Sequence, residues 1–181
     1  TANSISSRIL APPNNMKRSL GLFAFVLSVV TLAAQAAERP LTVGVIGHTG
    51  QGNYGHGEDT VWLKIPQTKV VAVADADPKG LADAAQRLGG VKAYADYKVM
   101  LAEAKPDIAA ICARHIHEHR DMIVAAVGAG VKGIYIEKPF VRTLAEADEI
   151  VKLCAEKGVR LAIAHRNRYH PVVEVVKQLV A

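Results

Sequence analysis

LTVGVIGHTGQGNYGHG, residues 41–57, decides the fold. Its first six residues are apolar and rich in β-branched side chains, the composition of a buried strand. The strand breaks at Gly47 into a turn holding Gly47, Gly50, Gly52, Gly55 and Gly57. A helix is expected to follow over residues 60–65. A strand, a glycine turn and a helix N-terminus bring backbone N–H groups and a partial positive charge to one place, where a diphosphate can sit. Glycine suits the turn because a Cβ would keep phosphates from the backbone.

The match to the dinucleotide fingerprint G-x-G-x-x-G is incomplete. Placed on Gly47, it asks for glycine at 49 and 52; Gly52 fits, but position 49 is Thr49 and the glycine has moved to Gly50. Glycine turns also occur without a ligand, so the surrounding chain has to decide. The turn residues proposed to hold a cofactor are Gly47, His48, Thr49, Gly50 and Gly52.

Strand and helix signals alternate from here onward. Strands are expected at 69–74, 91–94, 107–113, 131–136 and 159–164, after the first at 41–46. Helices are expected at 78–88, 97–104, 118–129 and 143–157, and from Pro171 onward. Thr143 is the N-cap of the fourth of these, with Glu146 in the capping-box position and Gly158 just past its end. Six strands alternating with helices predict an α/β fold, a doubly wound parallel sheet of the Rossmann type.

Residues 1–36 are set apart from this pattern. Residues 1–15 carry no clear signal. Met16 reads as a start, followed by Lys17 and Arg18, an apolar run over 20–34, and Ala34-Gln35-Ala36. That is the layout of a secretory signal peptide, with cleavage near Ala36 and export to the periplasm or medium; a retained membrane anchor is the alternative. The 181 residues carry 22 basic and 17 acidic side chains, a formal net charge of +5. Arg8, Lys17 and Arg18 belong to the leader, leaving 19 basic against 17 acidic, or +2. No dense basic stripe with interleaved aromatics is present, which argues against nucleic acid. Cys112 and Cys154 sit in apolar segments and read as buried small hydrophobes.

Asp75 ends the second strand, 28 residues after Gly47. A carboxylate there can accept both ribose hydroxyls of an adenosine and repel a 2′-phosphate, which favours NAD over NADP. The plainer reading is a strand-end acid that caps the next helix, for which Asp77, beside Pro78, is the better placed. His115, His117 and His119 alternate after the fourth strand; three imidazoles on one face are a possible zinc site, although no further ligand completes it. Glu137, Lys138 and Pro139 follow the fifth strand, where lysine can move a proton or anchor charge. The basic, aromatic stretch 165–171 suits an anionic or polyhydroxy ligand. Each of these segments also reads as a solvated loop at the sheet's edge.

Four features in order resemble the Gfo/Idh/MocA oxidoreductases: VGVIG at 43–47, VVAVADADP at 70–78, AVGAG at 126–130 before IYIEKP at 134–139, and NRYHP at 167–171. The resemblance covers residues 41–181. It implies a Rossmann domain binding a nicotinamide cofactor and hydride transfer from a sugar, polyol or related secondary alcohol. By this resemblance Lys138 lies at substrate and nicotinamide and assists the proton, Glu137 lies near the nicotinamide ribose, and Pro139 follows a cis bond. His119 matches a histidine that starts the helix after the fourth strand. Arg114-His115 replaces the family's usual Thr-Pro, so Arg114 is expected to contact the cofactor in a different way. Family members continue into a second domain that completes the substrate pocket and the homo-oligomer interface. The expected layout is therefore leader 1–36, dinucleotide-binding domain 37–171, and the start of a linker helix at 172–181. The alternative function is a non-catalytic nucleotide-binding protein.

Overall fold

A computed structural model describes residues 39–180; the leader expected at 1–36 lies outside them. Six strands form one sheet in the order β3-β2-β1-β4-β5-β6, every neighbouring pair parallel. They are β1 Leu41–Ile46, β2 Thr68–Ala74, β3 Lys92–Tyr94, β4 Ile108–Ile111, β5 Gly133–Ile136 and β6 Arg160–Ile163. Among the described residues the α-helices are α1 Pro78–Arg87, α2 Tyr97–Ala104, α3 His119–Gly128, α4 Leu144–Lys157 and α5 Pro171–Val180. This is the doubly wound α/β Rossmann sheet expected from the sequence. The order reverses between β1 and β4, so the carboxyl ends of those two strands form the crevice where ligands bind such sheets.

Each face of the sheet is covered, which is why its strands read as continuous apolar runs. Val43, Val45 and Val73 pack beneath Ala84 and Leu88 at the end of α1. Ile46, Ile111 and Ile136 point the other way, against Met100 of α2, Met122 and Ile123 of α3, and Ile150 of α4. Burying a valine or isoleucine side chain contributes about 1.5–3 kcal/mol, so the two layers hold the tips of β1, β4 and β5 rigidly side by side.

Helix ends follow their sequence signals. Asp77 accepts from the Gly80 amide at 2.6 Å ahead of Pro78. Thr143 accepts from the Glu146 amide at 3.2 Å, and α4 stops at Gly158, whose φ is +67°. The helix expected at 60–65 is the exception: only one 3₁₀ turn forms, Val61–Lys64. Gly57 is left-handed at φ +79°, and Asn53 and His56 are also at positive φ, so the chain is still turning where a helix would have to nucleate. Pro66 follows at once, and Thr68 Oγ1 donates to the Trp62 and Ile65 carbonyls, closing the turn. The chain therefore runs from the glycine turn into no α-helix of its own; the first turn of α1 reaches it instead, with Gly80 against Thr49.

Candidate dinucleotide site

The Gly47 amide still donates to the Ala74 carbonyl at 2.9 Å, so the chain leaves the sheet only after it. A Cβ at Gly47 would lie 2.0 Å from Tyr54 Cζ, so glycine alone fits above that ring. The amides of Gln51 and Asn53 both donate to the His48 carbonyl, and the Asn53 side chain accepts from the Gly50 amide at 3.0 Å. Gly50 and Gly52 are left-handed, at φ +83° and +86°. A Cβ at Gly50 would meet nothing within 4 Å, so this is the open point of the turn. Among the described residues the His48 and Gly52 amides have no acceptor. Arg114 is exposed beside Gly52, whose missing Cβ would be 2.9 Å from Arg114 Cβ, and no ion pair involves it among the described residues. An open left-handed glycine, two amides without acceptors and an exposed guanidinium fit a diphosphate.

Thr49, in the fingerprint's middle position, points away from this opening. Its hydroxyl donates to Asp75 Oδ2 at 2.7 Å, and its amide lies 3.0 and 3.1 Å from the two carboxylate oxygens. Asp75 Oδ1 also accepts from the Asp77 amide at 3.0 Å. Asp75 is 2 % exposed, and its carboxylate holds the turn against β2 rather than standing free for ribose hydroxyls. Its negative charge still borders a cleft of about 280 Å³ lined by Gly47, His48, Ala76, Tyr97 and Glu118. His48 Nδ1 and Glu118 Oε2, 2.5 Å apart, tie the turn to the segment after β4 at this cleft.

The three alternating histidines do not converge. His115 and His117 meet edge to face at 5.5 Å, and His115 Nδ1 is 3.0 Å from Gln51 Oε1. His119 starts α3 as expected but is fully buried. Its Nε2 is 2.7 Å from the Ala113 carbonyl, and its Nδ1 is 2.9 and 3.0 Å from the Pro139 and Phe140 carbonyls. With no exposed surface it offers a cofactor no contact; it braces the end of β4 against the segment after β5. Among the described residues no three His, Cys, Asp or Glu side chains gather in a metal-binding group.

That braced segment is Glu137-Lys138-Pro139, and its Lys138–Pro139 bond is cis, as the resemblance implied. Lys138 is half exposed and borders an opening of about 410 Å³ with Ala164, His165, Asn167 and Arg168, so the 165–171 stretch does meet the lysine. Glu137 is fully buried, with Oε1 3.5 Å from Lys138 Nζ and 3.9 Å from His56 Nε2.

The loop 53–60 crosses the carboxyl edge, where the sequence predicts a glycine turn running into a helix. Tyr54 bridges to Ala113, and the Gly55 amide donates to the Cys112 carbonyl at 2.8 Å. A Cβ at Gly55 would stand 2.5 Å from Glu137 Oε2, so that glycine admits the acid. Asp59, 3 % exposed, pairs with Arg87 Nη2 at 2.7 Å, and the guanidinium lies 5.0 Å over the Tyr54 ring. Glu58 is 7 % exposed, and burial, then its neighbour Glu137, push its carboxyl up to about 9. No motif pointed to Glu58; the only signal was an acid pair, Glu58-Asp59, directly after the last glycine.

The family model described as "Oxidoreductase family, NAD-binding Rossmann fold" matches residues 41–165. A D-apiose dehydrogenase of Paraburkholderia graminis is 33% identical over 127 residues, which are 70% of this chain and 33% of that protein. A protein of Haloferax volcanii named D-xylose 1-dehydrogenase (NADP(+)) 2 is 30% identical, over 66% of this chain and 36% of its own length. Among solved structures, myo-inositol 2-dehydrogenase from Lactobacillus plantarum superposes with a TM-score of 0.67 at 26% identity, covering 78% of this chain and 41% of that one. The chain thus spans about a third of the curated relatives it matches. Among the described residues no helix is long and apolar enough to cross a membrane.

Proposed function

The chain belongs to the Gfo/Idh/MocA oxidoreductases, and from that premise we propose that it is the cofactor-binding part of a nicotinamide-dependent dehydrogenase of a sugar or polyol. The observation that carries this reading is the placing of Lys138. It stands at an open pocket on the same sheet edge as the Gly50 turn, next to a buried acid. The named relatives that oxidise apiose and xylose support a small polyhydroxy substrate.

Each residue has a part in that chemistry. The amides of His48 and Gly52, with Arg114, hold the diphosphate. Asp75 fixes Thr49 so that the open backbone at Gly50 is presented. Negative charge from Asp75, with Asp77 beside it, disfavours a 2′-phosphate, so NAD is preferred to NADP. Hydride acceptance is the chemistry the cofactor supplies when bound. Lys138 Nζ would take the proton of the substrate hydroxyl as that alcohol is oxidised. Arg168 and His165 offer hydrogen bonds to the remaining hydroxyls. Export through the leader at 16–36 belongs to the same proposal and is tested by locating the mature N-terminus in fractionated cells.

Amide NMR of the chain during an NADH titration tests the reading. The expected result is movement of the His48, Gly50, Gly52 and Lys138 signals. Saturating NADH with no movement at these positions overturns it.

A further inference from the structure

The loop 53–60 brings Glu58 next to Glu137, with Gly55 packed on the Glu137 carboxylate, and donors are scarce there. Among the described residues neither oxygen of Glu137 has a hydrogen-bond partner, and Glu58 Oε2 has none. Both residues are more than nine-tenths buried. Two ionised carboxylates in that position would be all acceptor and all repulsion. A single proton held between them removes both problems, as in other carboxyl pairs that share one site.

The pair has two sides. Inward, Glu137 Oε1 faces Lys138 Nζ at 3.5 Å. Outward, Glu58 lines an opening of about 320 Å³ together with His56, Thr60, Lys64 and Tyr135. That opening is separate from the lysine pocket. We propose that Glu137 and Glu58 form a one-proton relay that carries the proton taken up by Lys138 out to solvent beside His56. The relay's purpose rests on the dehydrogenase reading; the shared proton does not.

The transfer balances. Once Lys138 Nζ carries the substrate's hydroxyl proton, the pair holds its single shared proton on Glu58. The Nζ–H bond breaks as Oε1 of Glu137 is protonated, which restores the free amine. Glu58 releases its proton to water in the outer opening and becomes the ionised partner. The proton on Glu137 then becomes the shared one. No electron moves, and one proton leaves. The charged and titratable groups that face Glu58 are Glu137, Lys138, Asp59 (paired to Arg87), Cys112 and Tyr135, with His56 and Lys64 at the rim. Lys138 favours its ionised form, and Asp59 opposes it.

Infrared spectroscopy of the chain without nucleotide tests this. The expected result is a protonated-carboxyl C=O band at pH 7 that fades as the pH is raised through about 9. Glu58→Gln and Glu137→Gln should each remove it, and after mixing with D2O the wild-type band should shift as fast as the solvent exchanges. A wild-type spectrum with no such band at pH 7 overturns the shared proton without use of any variant. A band that persists in both variants does the same. A band that keeps its proton for hours in D2O overturns the outlet. A parallel titration of wild type with NADH separates the two failures: a band with the expected behaviour in a chain that binds no NADH removes the dehydrogenase reading, and the relay's purpose with it.

Discussion

Asp75 grips Thr49 twice, at the amide and at the hydroxyl, and so holds the glycine turn to the tip of β2. The departure from the glycine fingerprint at 49 and the acid at 75 are therefore one feature. Threonine costs the site nothing because its side chain faces the acid while Gly50 takes the open position. A double-mutant cycle of Thr49→Val and Asp75→Ala should show a coupling of about 1–3 kcal/mol, since the hydroxyl and the carboxylate act as a unit. Asp75→Ala alone strands three donors and should destabilise by about 3 kcal/mol. Urea unfolding of the four proteins measures both; additive losses would mean that the contact is incidental.

Gly80 gives a prediction of unusual sign. It lies inside α1, where alanine ordinarily gains about 1 kcal/mol over glycine. Here a Cβ would stand 2.0 Å from Thr49 Oγ1. Gly80→Ala should therefore destabilise by about 1–3 kcal/mol by pushing Thr49 off Asp75. Combined with Thr49→Gly it should recover, which urea midpoints would reveal.

His119 joins three carbonyls from two strand ends. His119→Leu keeps most of the volume but leaves those acceptors buried without a donor. The expected loss is about 2–4 kcal/mol, large for a near-isosteric change. A loss under about 0.5 kcal/mol, the range of ordinary surface changes, would show that the brace is dispensable.

The raised Glu58 carboxyl sets a pH dependence. The folded state holds that proton up to about pH 9, whereas an ordinary glutamate loses it near 4.5. Between those values the folded state binds one proton more, so stability is full below about 4.5 and falls as the pH rises toward 9. The slope is at most about 1.4 kcal/mol per pH unit. Melting curves across that range should flatten in Glu58→Gln; an unchanged slope would place the titration elsewhere.

The centre of the sheet was legible in the sequence because β1, β2 and β4 are largely buried and read as continuous apolar runs. Thr143, Glu146 and Gly158 marked α4 because caps are local chemistry, whereas the residues of the EKP segment read equally as a site or a solvated turn, and only the family resemblance singled them out. The loop 53–60 was not legible. Its path depends on Tyr54 meeting Ala113 and on the Gly55 amide reaching Cys112, partners more than 50 residues away in the sequence. A glycine-rich polar stretch ahead of an apolar run looks like the approach to a helix until those contacts divert it. Glu58 went unnoticed for the same reason, since its chemistry exists only when Glu137 arrives from another strand. Asp75 was found, but as a free carboxylate; the threonine that occupies it is visible only when β1 and β2 lie side by side.

The most direct test of the account is a fluorescence titration of the wild-type chain with NADH and NADPH, alongside a thermal melt of the same sample. The account predicts a cooperative melt and saturable binding of both nucleotides, with NADH the tighter. A chain that melts cooperatively and binds neither would contradict it.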